Sequence, residues 1–245
     1  MAKTDDYRRI LQSTSDWQPF LLKESGLPGP RGNLELAQVV ADEGNRALFE
    51  RLLLYTPEKA PVNTPQEFLS FCGVIGLGRL LAEGDRALFG RLRGYASDPR
   101  WRMREGVAMA LQRLGKVDMQ PLLTEMQKWS EGNWLEQRAA AAALAEPALL
   151  HNETDAVAAL DILDAITTSM QGITGPKDEA FKALQKGMSY CWSVVVAAAP
   201  TAGKRLMEKW LRGTDPTILR IMQENLKKNR LVRMDAAWVE KWRAQ

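Results

Sequence analysis

The sequence predicts an all-α protein: a right-handed α-solenoid of antiparallel helix pairs, built as a single curved domain over residues 1–245. Three observations carry that expectation. Residues 43–56 read EGNRALFERLLLYT and residues 83–96 read EGDRALFGRLRGYA, so nine of fourteen positions recur at a spacing of 40. A fixed period of about 40 residues in helical pattern is the signature of stacked helix pairs, each covering its neighbour's apolar face. Almost every other segment also has helical rather than alternating periodicity. Finally, 245 residues suffice to bury a substantial core in one elongated array.

The elements follow in order. Residues 1–32 are expected to form N-terminal cap helices, from Tyr7, Ile10 and Leu11 and then Trp17, Phe20, Leu21 and Leu22, followed by a PGPRG loop. The run SGLPGPRGN at 25–33 has too many prolines and glycines for a helix interior, and Asn33 is placed to cap the helix LELAQVVADE. Residues 33–150 hold the clearest repeats: helices at 46–55 and 68–81, a second copy at 86–95 and 101–114, and a compressed third copy. In that third copy Leu122, Leu123, Met126 and Trp129 take the places of Leu88, Phe89, Leu92 and Tyr95, and WLEQRAAAAALA supplies small side chains for close helix approach. Residues 151–203 read as irregular helices at 156–170 and 179–199, with SVVVAAA as buried helix rather than strand. Residues 204–245 hold a last pair, at 204–211 and 217–226, and a basic amphipathic capping helix with Trp238 and Trp242 on one face.

Bulk properties exclude several classes of function. There is no apolar run of about 18 residues, so no membrane partner is expected. MAKTDDYRRI has neither the basic start nor the apolar stretch of a secretory signal. Cys72 and Cys191 lie in apolar helical pattern without metal spacing, which fits buried thiols in a cytoplasmic protein. The net charge is only +3, but it is segregated. Residues 79–104 carry seven arginines against three acids, 131–179 nine acids against two bases, and 204–245 eleven bases against five acids. Such segregation can build a positive stripe on a weakly charged chain.

No catalytic, metal or cofactor site is expected. The lone histidine, His151, sits in a polar turn, and no serine–histidine–acid, P-loop or dinucleotide pattern is present. Asp161 and Asp164 share a helix face, which reads as a solvated acidic surface.

The candidate binding residues lie at look-alike turns. Residues 97–104 read SDPRWRMR, 130–138 read SEGNWLEQR and 214–220 read TDPTILR. Residues three or four apart share a helix face, so Trp101 with Arg104, and Trp134 with Arg138, are expected to project together. Arginine beside tryptophan offers a phosphate clamp next to a stacking platform. Arg79, Arg91, Arg93, Arg100 and Arg102 would add positive charge, and Arg31 in the PGPRG loop could meet an anion beside a helix start. The structural alternative is that Asp98 and Asp215 cap the following helices, the arginines bond back to the turns, and the tryptophans pack between repeats.

The DP turn followed by an arginine-bearing helix resembles a HEAT repeat. More narrowly, YASDPRWRMREGVAMALQRLG resembles a helix pair of the HEAT-like DNA alkylation repair family, which includes alkylpurine DNA glycosylases. Ser97, Trp101 and Arg104 match that family's S-x-x-x-W-x-x-R segment, and the resemblance implies that Arg104 faces DNA. It covers residues 80–145 and departs from the family at the helix FLSFCGVIGLGRLL, which lacks the tryptophan and catalytic aspartate that the glycosylases place there. The resemblance therefore implies a non-catalytic or divergent member.

Three functions compete. The first is non-enzymatic binding of DNA along a basic concave face through Trp101, Arg104, Trp134, Arg138, Arg100, Arg102 and Arg31. The second is a scaffold for a protein or peptide partner, and the third an alkylpurine DNA glycosylase. A monomer without cofactors is expected.

Overall fold

A computed structural model describes residues 3–244. Fifteen α-helices and one short 3-10 turn make up its regular structure, with no strand among the described residues. None of these helices is long and apolar enough to cross a membrane. Contacts divide the chain into two compact units, Met1–Val117 and Asp118–Gln245.

The first unit runs α1 (Lys3–Ser13), α2 (Gln18–Lys23), α3 (Leu34–Glu43), α4 (Arg46–Leu52), α5 (Pro65–Ala82), α6 (Leu88–Ala96) and α7 (Trp101–Val117). Its centre is α5, buried almost all round because α2, α3, α4, α6 and α7 pack against it. Helices that are apolar on every face need such a jacket. Asn33 caps α3 as expected, its Oδ1 accepting from the Leu36 amide. The far end of α3 is closed by Arg79, whose Nη1 donates to the carbonyls of Ala41, Asp42 and Gly44. Cationic donors are favourable there because the last helical carbonyls lack intrahelical partners.

The two copies of the repeat differ at their starts. Asn45 caps α4 at Arg46 by accepting from Leu48. Its counterpart Asp85 makes no such cap, and α6 begins at Leu88 rather than at the expected residue 86. Asp85 instead pairs with Arg46 at 2.5 Å, and Glu50 holds Arg91 through both carboxylate oxygens. Divergence between the copies has thus produced charge pairs that join one copy to the other.

The second unit runs α8 (Met119–Trp129), α9 (Trp134–Leu144), α10 (Glu153–Met170), α11 (Glu179–Ala198), α12 (Pro200–Leu211), α13 (Pro216–Leu226), α14 (Asn229–Met234) and α15 (Ala236–Arg243). Leu122, Leu123, Met126 and Trp129 are all buried on α8, as the third copy requires. SVVVAAA is helical as far as Ala198, the end of α11, which packs on α9, α10, α12, α13 and α14, and Ala199 caps the helix. Trp238 and Trp242 are both buried on α15. Cys72 and Cys191 are both buried, and burial pushes the Cys72 thiol well above its ordinary range.

Asp215 caps α13 through the Thr217 and Ile218 amides and also accepts from Gly172, tying the α10–α11 loop to the helix start. Burial opposes its ionisation, but the amides of Gly172, Ile218 and Thr217 outweigh that and hold its carboxyl below the usual range. A depressed folded-state value means stability that is present above the unfolded pKa and lost as pH falls through the folded one. Asp215→Ala is expected to cost about 1–2 kcal/mol near neutral pH, a deficit that shrinks below about pH 4. Urea midpoints across that range measure it, and a deficit independent of pH would contradict the assignment.

Candidate nucleic-acid interface

Several residues singled out in the sequence are used internally. Arg100 is 2% exposed. Its guanidinium is bidentate to Asp98 and donates to the Tyr55 and Ala60 carbonyls and to Ser70 Oγ. Arg102, 5% exposed, pairs with fully buried Glu67 and donates to Gly29 O and Asn63 Oδ1. Neither guanidinium can meet a phosphate without abandoning these bonds, so both are committed to internal cross-links. Arg104 bonds back to the turn, donating to the carbonyls of Asp98 and Pro99. Trp101 is 42% exposed, but its neighbour on the ring is Arg102, 4.4 Å from the centroid, rather than Arg104.

Trp134 and Arg138 do share a face of α9, and that face is turned onto α11. The Trp134 ring meets Phe181 edge-on at 5.2 Å, and the Arg138 stem lies 3.4 Å from where a Cβ on Gly187 would stand. Both are half-buried against α11 in the second unit. Of the arginines in the set, Arg31 is the exposed one, and it forms no ion pair among the described residues. Asp164 is half-buried, engaged by Lys209 and by Trp210 Nε1, while Asp161 is exposed.

Positive charge converges elsewhere, on the surface shared by α11, α13 and α14. Asp178 caps α11 by accepting from Phe181, and the buried stripe Phe181, Leu184, Met188, Trp192 and Val195 sets the helix's rotation. That rotation leaves Lys182, Lys186 and Tyr190, spaced by four, on the outer face. Buried Asn225 of α13 fixes the height of Tyr190: its Nδ2 donates to Met188 O and its Oδ1 accepts from the Ser193 amide. Two shallow grooves of about 470 and 640 Å³ meet at Tyr190 and Lys228. One is lined further by Lys182, Lys186, Arg220 and Glu224, the other by Lys227, Arg230 and Arg233.

Tyr190 is 45% exposed. Its hydroxyl accepts from Arg230 Nη2 at 2.6 Å, and the Arg230 guanidinium lies 5.0 Å from the ring centroid. Lys227 is paired with Glu224 and Lys182 with Glu179, whereas Lys186, Arg220, Lys228, Arg230 and Arg233 form no ion pair among the described residues. The field is felt by Glu224, whose carboxyl is held below the usual range by the Lys227 hydrogen bond, with Lys228 and Arg220 adding to it. Unpaired cations around an exposed aromatic ring can bind a polyanion that also has planar groups to stack.

The basic excess of residues 204–245 signalled half of this surface. The contribution of α11 was hidden because Lys182 and Lys186 lie just beyond the acidic middle of the chain. No group of histidine, cysteine and carboxylate side chains suited to a metal occurs among the described residues. No family model, curated protein or solved structure matches this chain.

Proposed function

We propose that this protein binds nucleic acid, DNA in the first instance, through the α11–α13–α14 surface of its second unit, and that binding involves no catalytic step. The observation that carries the proposal is that five cations without ion pairs line the two grooves that meet at exposed Tyr190, two of them, Lys228 and Arg230, within 6.0 Å of its ring. The stacking of helix pairs implied by the 40-residue repeat is supported in the first unit by the Arg91–Glu50 pair between α6 and α4 and by the Arg46–Asp85 pair between α4 and the segment before α6. The matched arginine of the alkylation-repair segment, Arg104, bonds to its own turn, so that resemblance lends no contact to this interface.

Fluorescence anisotropy with labelled single-stranded and duplex DNA tests it. Affinity is expected to fall steeply with salt, and the triple variant Arg220→Gln, Lys228→Gln, Arg230→Gln to reduce the salt slope by about 2–3. Tyr190→Ala is expected to weaken single-strand binding by about 1–3 kcal/mol and duplex binding by less, because only unpaired bases are free to stack. Salt-insensitive binding, or affinity unchanged in the triple variant, would reject the interface. Binding of an acidic polypeptide in place of DNA would instead favour the scaffold reading.

A further inference from the structure

The first unit contains an aromatic pocket that the nucleic-acid reading does not use. It encloses about 200 Å³ and is lined by Leu34 of α3, Phe68 and Phe71 of α5, and Trp101 and Met109 of α7, with Arg31, Gly32, Arg102 and Glu105 completing it. Sites for drug-sized ligands run to roughly 300–1,000 Å³, so this one suits a ligand of one or two fused rings. Its walls are held by internal chemistry. Arg102 Nη2 donates to Gly29 O at 2.6 Å and the Gly29 amide donates to Asn63 Oδ1, pinning the loop that presents Arg31. The Asn33 amide donates to Ser25 O at 2.9 Å and closes the base of that loop.

The lining holds two guanidiniums, Arg31 and Arg102, against one carboxylate, Glu105. Arg31 is an exposed guanidinium with no ion pair among the described residues. Arg102 is neutralised by Glu67, yet its Nε is a buried donor without a hydrogen-bond partner. A buried donor left unsatisfied costs about 1–3 kcal/mol, which a ligand acceptor could recover. Aromatic walls favour a flat apolar body, since ring pairs add attraction beyond the area they bury. A guanidinium favours a carboxylate, which it can hold bidentately.

We infer that this pocket binds a small planar aromatic carboxylate, with its ring among Phe68, Phe71 and Trp101 and its carboxylate on Arg31. The probes are 2-naphthoate, 2-naphthalenemethanol and 2-naphthylmethylammonium, titrated calorimetrically into the full chain. Naphthoate is expected to bind at least about tenfold more tightly than the neutral alcohol, and the ammonium most weakly. Arg31→Gln, on an exposed loop, is expected to remove that tenfold preference while leaving the alcohol's affinity unchanged. Trp101→Ala, at a half-exposed position, is expected to weaken naphthoate and alcohol alike.

Tyr190→Ala separates this site from the basic surface of the second unit, which also attracts aromatic anions. Naphthoate binding that survives Tyr190→Ala and responds to Arg31→Gln supports the pocket. Binding that follows Tyr190 and ignores Arg31, equal affinity for naphthoate and alcohol, or no heat for naphthoate at any accessible concentration overturns it.

Discussion

Arg102→Ala is expected to destabilise the first unit by about 3–5 kcal/mol, because it strands a charge. The side chains of Arg102 and Glu67 are 6% and 0% exposed, with Nη1 to Oε2 at 3.0 Å. Glu67 Oε2 also accepts from the Asn63 amide, but its Oε1 has no hydrogen-bond partner, so little remains to solvate the carboxylate once the guanidinium is gone. The loss extends to the loop, since Arg102 is also the donor to Gly29 O. The double variant Arg102→Met, Glu67→Gln is expected to recover more than half of the deficit, as removing both members of a buried pair is far milder than removing one. Urea unfolding combined with hydrogen exchange over α5 and α7 measures both. A single-variant loss under about 1 kcal/mol would mean that water reaches Glu67, contrary to the packing.

Gly78→Ala is the second large effect, and its sign contradicts helix propensity. Alanine ordinarily stabilises a helix interior by about 1 kcal/mol relative to glycine. At Gly78 a Cβ would stand 2.4 Å from Ala110 Cα and 2.6 Å from Ala110 O, both backbone atoms of α7. Neither can swing aside, so α5 and α7 must separate along the most extensive helix contact of the first unit. Overpacking of this kind costs about 1–3 kcal/mol or more, so a net loss of at least about 1 kcal/mol is expected after the propensity gain. Gly94→Ala in α6 is the control. Nothing lies within 4 Å of its Cβ position, and it is expected to stabilise by up to about 1 kcal/mol. Thermal and urea midpoints of the two variants should therefore move in opposite directions; movement in the same direction would refute the close approach of α5 to α7.

The contrast between these glycines shows what a sequence can carry. Gly78 and Gly94 are the same residue in helical pattern, and only the distance to Ala110 separates them. The helices themselves were legible. Apolar spacing and the caps Asn33 and Asp215 act within a few residues of their own positions, so α3, α7 and α9 start where expected and α13 one residue earlier, at Pro216. The buried side chains of the third copy and the helical state of SVVVAAA follow from the same local rules.

The roles of the arginines were not legible, because desolvation is set by neighbours far along the chain. Arg79 reaches carbonyls up to 38 residues away, and Arg102 reaches Gly29 across 73. The clusters around Arg100 and Arg102 read in sequence as open positive charge and are in fact buried cross-links. Conversely, Tyr190 was an unremarked residue of a buried helix until α13 and α14 brought Arg220, Lys228 and Arg230 around it. The sequence alone determined where charge and helix lie along the chain. Packing decided which charges face water, because the energy of a guanidinium depends on whether protein carbonyls and carboxylates or solvent surround it.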